Sequence, residues 1–212
     1  FRIGSDDRNN TLKCFGPGFA NDPVYKGDTV RFLQDFAKAC AKDVQTLKDA
    51  GIKVSMWGLS NEPNVSHSIY STFKYFTADD YVSSYYYTAK AIRETDKNIL
   101  LISDTEHGFP GKIATGMHRP EVAALVDAYV VHTVGWDSES VNGVNKRIRD
   151  ELPFRPWFQN EYEYLSGGAT PERCLNTVQH LMNSFQLAEN PTWYWIHALK
   201  PFKNAEASGY SL

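Results

Sequence analysis

The apolar run at residues 54–64 reads VSMWGLSNEPN and stops abruptly on Asn61 and Glu62. Hydrophobic residues that end on an acid beside amides are typical of a buried strand that delivers a carboxylate to the rim of a sheet. A second run at residues 156–162, PWFQNEY, repeats the pattern and ends on Glu161. Two strand-end glutamates favour glycoside hydrolysis, in which one carboxyl protonates the leaving oxygen and the other attacks the sugar or activates water.

The composition is that of an ordinary globular domain. The chain has 212 residues, of which 42% are hydrophobic and 22% charged, so we interpret residues 1–212 as a single catalytic domain. A net charge of -3 without any run of Lys or Arg argues against a nucleic-acid partner. No apolar run approaches the roughly 20 residues that cross a bilayer, so no membrane partner is expected. The oligomeric state is left open.

Other features of the chain concern its thiols and its ends. Cys14, Cys40 and Cys174 are widely spaced and form no CxxC or Cys/His grouping, which leaves free thiols or one disulfide. The chain begins at Phe1 without Met and stops at Leu212 without a terminating pattern. We therefore expect a fragment or processed sequence that is truncated at both ends.

Strand and helix patterns alternate along the chain. Apolar residues at helical spacing predict an amphipathic helix over residues 29–50, and Gly51 ends it before a strand at residues 52–59. Further strands are predicted near residues 98–102, 126–131, 153–161 and 191–197, with helices opening at the capping residues Thr77 and Thr170.

This order predicts an α/β fold with a parallel sheet, and the strand-end acids favour a (β/α)8 TIM barrel. A doubly wound open sheet is the structural rival, but no GxGxxG or GxxxxGK loop follows any strand. The predicted strands are fewer than eight. We therefore expect the barrel to be incomplete here, with strand 1 missing and strand 3 not identified.

These motifs together resemble clan A of the retaining glycoside hydrolases, and family 30 most of all. The segment WGLSNEP at residues 57–63 is similar to the Asn-Glu-Pro signature after strand 4 of that clan, and WFQNEY at residues 157–162 to its nucleophile segment after strand 7. Weaker similarities are RIGSDD at residues 2–7 for strand 2, His132 for strand 6 and WYW at residues 193–195 for strand 8.

The resemblance implies a retaining β-glycoside hydrolase that cleaves a β-linked glycan by double displacement. Glu62 would be the acid/base and Glu161 the nucleophile, with their carboxyls about 5 Å apart. Asn61 would bind the 2-hydroxyl of the sugar, and Arg2 would hold Glu161 ionised. No metal and no organic cofactor is expected, and secretion to the outside of the cell or the periplasm follows only from the substrate class.

Aromatic residues supply the remaining candidates for substrate binding. Trp195 could form the floor beneath the sugar, and His132, Tyr162 and Trp57 could line its sides, because flat rings suit the apolar faces of sugars. Trp57 fits core packing at least as well.

Several alternatives stay open at this point. Glu163 competes with Glu161 as nucleophile, because residues two apart in a strand point the same way. Asp104, Glu106 and His107 crowd what is predicted to be the loop after the strand ending near Ser103, so a metal-dependent hydrolase that uses these three residues is a second hypothesis. A carbohydrate-binding barrel without catalysis is a third.

Overall fold

The structure is a computed structural model that describes residues 21–59, 78–107, 119–151, 155–164 and 170–195. Helices and strands alternate through these ranges. In chain order they are α1 (Thr29–Asp49), β1 (Met56–Trp57), α2 (Ala78–Thr95), β2 (Leu100–His107), α3 (Pro120–Ala123), β3 (Ala128–His132), a 3-10 turn (Ser140–Gly143), α4 (Val144–Glu151), β4 (Trp157–Gln159) and α5 (Pro171–Gln186).

The strands form one parallel sheet whose spatial order, β1-β2-β3-β4, is the order of the sequence. Every step from one strand to the next therefore goes in the same direction. A doubly wound sheet would reverse that direction at a switch point, whereas a (β/α)8 barrel never does. Within the described ranges the topology is that of a barrel, and the α/β fold class predicted from the sequence is confirmed.

Two helices begin at a residue whose side chain caps them, and the cap at Thr170 was predicted, whereas the predicted cap at Thr77 lies outside the described residues. The Asp28 carboxylate accepts a hydrogen bond from the Arg31 N–H (2.9 Å) at the start of α1, and the Thr170 hydroxyl accepts one from the Arg173 N–H (3.3 Å) at the start of α5. Pro171 occupies the first turn of α5, where its missing N–H costs nothing. Both helices thus begin where the sequence predicts.

The strand bounds differ more from the prediction. Strand β1 pairs over only two residues, and the segment after α5 joins the sheet through a single bridge between Tyr162 and Trp195. Strand β2 instead runs to His107, because its pairing with β3 continues as far as His132. The prediction that Asp104, Glu106 and His107 follow the strand in a loop is therefore wrong.

Strand β2 also contains a register shift. Ile102 pairs with Ala128 while Thr105 pairs with Val130, so β2 has one extra residue between these two pairs. The Ser103 hydroxyl accepts a hydrogen bond from the Val130 N–H (3.2 Å) at this point. A side chain thus supplies an acceptor where the bulge interrupts the backbone ladder.

The hydrophobic core lies on the helix-covered face of the sheet. Tyr129 and Val131 of β3 belong to one buried cluster with Tyr85 and Ile92 of α2, whereas Ala128 is buried outside that cluster. Because side chains alternate along a strand, residues 128, 130 and 132 share the opposite face, which we call the inner face. No helix in the described ranges has the length and hydropathy to cross a membrane.

Asp127, just before β3, connects the amino-terminal ends of β2 and β3 to α2. Its Oδ2 atom accepts hydrogen bonds from the Leu101 N–H (2.8 Å) and from the Arg93 guanidinium (2.5 Å). Arg93 also donates to the Ile99 carbonyl (3.1 Å). One carboxylate therefore fixes β2, β3 and α2 relative to one another.

Replacing Asp127 with Ala should lower the free energy of unfolding by about 1–3 kcal/mol, because two partly buried donors lose their acceptor. Urea unfolding monitored by circular dichroism measures this. Asp150→Ala is the matched control, because Asp150 forms only an exposed ion pair with Lys146, four residues earlier on the same helix. For this variant we expect the free energy of unfolding to change by less than about 0.5 kcal/mol. Equal effects of the two variants would contradict the anchoring role of Asp127.

Candidate active site

The inner face carries a His and a Glu side by side at the carboxyl ends of β3 and β4. His132 Nε2 lies 3.5 Å from Glu161 Oε2, and the two side chains are 1% and 19% exposed. An imidazole at this distance can help to orient a carboxylate. The carboxylate itself remains open on one side, as a group that reacts with a bound molecule must.

Glu161 reaches this face only because the segment that continues β4 past Gln159 has one extra residue. In the regular part of the ladder the Tyr129 N–H donates to the Pro156 carbonyl (2.9 Å). Continuing that register would place the Asn160 carbonyl at Thr133, but the Thr133 N–H donates to the Glu161 carbonyl instead (3.1 Å). The structure therefore contains a β-bulge around Asn160, which interrupts the strand predicted to run through Glu161.

The bulge reverses which residues face the helices. Before it, Trp157 packs on the helix-covered face, where its Nε1–H donates to Asn145 Oδ1 (2.8 Å). Strict alternation would send Glu161 the same way as Trp157. After the bulge, Tyr162 faces α5, with its ring centroid 4.4 Å from that of His180. Glu161 is thereby turned to the inner face.

Glu163 shares the direction of Glu161 but not its accessibility. The Gly135 N–H donates to the Glu163 carbonyl (2.8 Å), as the Thr133 N–H does to Glu161, so the extended register continues and both acids lie on one side. Glu163 is only 1% exposed. A buried carboxylate cannot approach a sugar without rearrangement, and this difference favours Glu161.

An aromatic cluster lies behind Glu161, on the helix-covered face. The Tyr162 ring is 5.2 Å from Trp193 and 5.8 Å from Trp195, and Tyr162 is fully buried. Trp195 is the bridge partner of Tyr162, and paired residues in parallel strands project to the same side. The structure thus places Tyr162 and Trp195 as support for the strand of Glu161, away from the face that would hold a sugar.

Asn176 of α5 connects this cluster to the loop after β3. Its Nδ2 donates to the Trp136 carbonyl (3.1 Å) and to the Tyr162 hydroxyl (3.2 Å), and it also contacts the Tyr164 hydroxyl. Burial raises the pKa of the Tyr162 hydroxyl, and the neighbouring Tyr164 raises it further. Tyr162 consequently stays protonated and keeps its place in the network.

His180 is buried in the same cluster as a neutral side chain. The Trp193 Nε1–H donates to His180 Nδ1 (3.0 Å), which requires an unprotonated Nδ1. Burial lowers the pKa of His180 to about 4, although the nearby Asp137 carboxylate acts in the opposite direction. His180 thus holds Trp193 against Tyr162 without carrying a charge.

The other predicted site residues divide into two groups. Trp57 is 8% exposed and belongs to the core cluster with Tyr85, so it packs against the helices. The remainder lie outside the described part of the structure: these are Glu62, Asn61 and Arg2, together with the side chains of Asp104, Glu106 and His107. The described side chains include no group of three His, Cys, Asp or Glu residues that could hold a metal ion. Cys40 and Cys174 are free thiols.

Gln159, Asn176 and His180 were not predicted to matter, although all three hold the strand of Glu161 or its neighbour. Asn176 and His180 lie four residues apart on α5, one helical turn, so they share a face. That spacing of polar residues on a helix face was a usable signal. Gln159 offers no comparable signal, because an amide within a strand is more often solvent-facing.

Comparison with solved structures identifies the fold. The chain is similar to a family 30 endoxylanase from Clostridium papyrosolvens, with a TM-score of 0.60 and 13% identity over 79% of this chain and 40% of that one. It is also similar to a monomeric β-xylosidase from Caulobacter crescentus, with a TM-score of 0.60 and 17% identity over 77% and 38% of the two chains. A third similar structure is a family 30 xylanase C from Talaromyces cellulolyticus, with a TM-score of 0.58 and 12% identity over 78% of this chain and 38% of that one.

The fold is thus the α/β fold of the clan A (β/α)8 glycosidases, and the resemblance to that clan is confirmed at the level of fold. The chain spans about 40% of the length of the family 30 endoxylanase. No protein-family profile matches the chain. No curated protein sequence matches it either.

His180 should make the protein less stable in mild acid. A histidine with an unfolded pKa near 6.5 and a folded pKa near 4 takes up a proton on unfolding as the pH falls below 6.5, and this destabilises the folded state by about 2 kcal/mol at pH 5 and not at all above pH 7.5. His180→Gln removes the titration. Chemical unfolding of both proteins at pH 7.5 and pH 5 measures the difference; the same pH dependence in both would rule the effect out.

Proposed function

We propose that the protein is a retaining β-glycoside hydrolase in which Glu161 is the nucleophile and Glu62 the acid/base. The observation that carries the proposal is the placement of Glu161, which is partly exposed on the inner face with His132 Nε2 at 3.5 Å. Catalytic residues of (β/α)8 enzymes lie at the carboxyl ends of strands, and both Glu161 and His132 do so.

The chemistry divides between the two carboxyls. Glu161 would attack the anomeric carbon while Glu62 donates a proton to the leaving oxygen, which gives a covalent glycosyl-enzyme. Glu62, then deprotonated, would activate the water that hydrolyses this intermediate. His132 would keep the Glu161 carboxylate oriented through both steps. Asn61 and Arg2 remain proposed contacts to the sugar and to Glu161.

The fold neighbours support one class of substrate. The similar structures include a family 30 endoxylanase, a β-xylosidase and an endo-β-1,6-glucanase. Their common substrates are β-linked glycans, and we propose the same class for this protein. Such substrates are found outside cells, and an extracellular or periplasmic location would suit them.

The two rival functions predict different results when Glu161 is replaced or metal ions are removed. A carbohydrate-binding barrel without catalysis would not hydrolyse a β-linked glycan, with or without the Glu161 carboxylate. A metal-dependent hydrolase would use Asp104, Glu106 and His107, and its activity would depend on an added or bound ion. The experiments below distinguish these cases.

Glu161→Gln and Glu62→Gln should each abolish hydrolysis of aryl β-glycosides and of β-glucans and xylans, because an amide neither attacks nor transfers a proton. Removal of an acid/base alone costs on the order of 10²–10⁴-fold. Glu163→Gln is the matched control and should retain most of the activity, since that side chain is buried beside the site. Reducing-sugar and nitrophenol release measure the rates; full activity in both Gln variants would refute the proposal.

Azide distinguishes the two roles. With Glu161→Ala, azide should restore turnover of an activated aryl glycoside and yield the glycosyl azide of inverted configuration, because it enters from the face that the nucleophile has left. With Glu62→Ala the azide should have retained configuration, because it attacks the covalent intermediate. Proton NMR of the products reads the configuration, and the opposite assignment would exchange the two roles.

Treatment with EDTA should leave hydrolysis unchanged after extensive dialysis, because the proposed mechanism uses carboxyls alone. Initial rates before and after treatment, and after Mg²⁺, Mn²⁺ or Zn²⁺ is added back, measure this. Activity that is lost with the chelator and restored by one ion would favour the metal-dependent hydrolase.

A further inference from the structure

Gln159 lies next to the bulge, where the hydrogen-bond ladder between this strand and the segment at residues 192–195 is interrupted. Its side chain is fully buried. Its Oε1 accepts a hydrogen bond from the Tyr194 N–H (2.7 Å), and its Nε2 donates to the Tyr194 carbonyl (3.4 Å). The side-chain amide therefore makes the pair of bonds that a backbone peptide would otherwise make.

The same carbonyl also marks where the backbone ladder resumes. The Tyr162 N–H donates to the Tyr194 carbonyl at 2.9 Å, so this one oxygen receives a side-chain donor from residue 159 and a backbone donor from residue 162. Asn160 and Glu161 lie between these two attachment points. The bulge is consequently held by two hydrogen bonds to the Tyr194 carbonyl, one from Gln159 before the extra residue and one from Tyr162 after it.

The remaining bonds of Gln159 fix its backbone. Its N–H donates to Thr192 Oγ1 (3.1 Å) and to Asn190 Oδ1 (3.3 Å), and the Thr192 hydroxyl donates back to the Gln159 carbonyl (3.0 Å). These contacts lie before the bulge and do not involve the Tyr194 peptide. Thr192 thus provides a matched control for the Gln159 side chain, because it bonds to the backbone of the same residue but before the bulge.

We propose that Gln159 is a positioning residue for Glu161: its amide replaces the backbone partner that the bulge removes, and so keeps the Glu161 carboxylate turned to the inner face beside His132. Without these bonds β4 can return to the regular register, in which the Asn160 carbonyl meets Thr133. In that register Glu161 would face the helices, as Trp157 does. The inference rests on the proposed nucleophilic role of Glu161, because its catalytic consequence follows from that role.

The test compares Gln159→Met, which keeps the side-chain size and removes both hydrogen bonds, with Thr192→Val. Each variant loses side-chain bonds between the same two segments, so both should be less resistant to urea than the wild type. Gln159→Met should lower kcat on the order of 100-fold with little change in KM, because misplacing a reacting group costs about that much. Thr192→Val should keep kcat within a few-fold.

The pH profile supplies a readout that a general loss of stability does not move. The acid limb of kcat/KM reports the ionisation of the nucleophile in the free enzyme. It should shift in Gln159→Met, where Glu161 moves from the partly exposed inner face to the buried side of the strand, and stay in place in Thr192→Val. A crystal structure of Gln159→Met should have the Thr133 N–H bonded to the Asn160 carbonyl. Unchanged kcat, an unmoved acid limb or an intact bulge in that variant would overturn the inference.

If Gln159→Met does not fold, Gln159→Asn is the second variant, because it keeps a neutral amide but is one methylene too short to reach both groups of the Tyr194 peptide. A smaller loss of kcat in the same direction supports the inference, and wild-type kcat overturns it. The outcome is separate from that of the proposed function. If Glu161→Gln still hydrolyses the substrate, the proposed function is wrong. If hydrolysis requires Glu161 but not the Gln159 amide, only the positioning role is wrong.

Discussion

The register of strand β3 with its two neighbours is the constraint on which the site depends. Every residue of β3 is buried, and both flanking strands depart from its register by one residue, β2 between Ile102 and Thr105 and β4 just after Gln159. In β2 the Ser103 hydroxyl receives the Val130 N–H, and in β4 the Gln159 amide binds the Tyr194 peptide. Because an interrupted ladder leaves backbone groups without partners inside the sheet, each bulge needs such a side chain to be tolerated.

The bulge in β4 decides what each side of the strand carries. It places Tyr162 against His180 of α5 and leaves Glu161 beside His132. One residue fewer would bury the carboxylate among aromatic rings, where its charge would be costly. The aromatic cluster is therefore a supporting layer that packs against the strand on the helix-covered face, while Glu161 lies on the opposite face.

The choice between Glu161 and Glu163 illustrates how far the sequence could go. Spacing alone indicates that both acids point the same way, and the structure agrees. Accessibility separates them, since Glu161 is 19% exposed on its side chain and Glu163 only 1% as a whole residue. Burial at a strand end depends on loops and helices that are distant in the chain, and local periodicity contains no information about them.

The sequence by itself determined the alternation of strands and helices and the capping of α5 at Thr170, because these depend on neighbours within a few residues. The same local rules placed Tyr162 and Trp195 beside a sugar and Asp104 in a loop. Tertiary structure decided those positions differently. Strand length and facing are set by pairing with β3, through hydrogen bonds between residues tens of positions apart, and a single inserted residue reverses the alternation that the sequence pattern assumes.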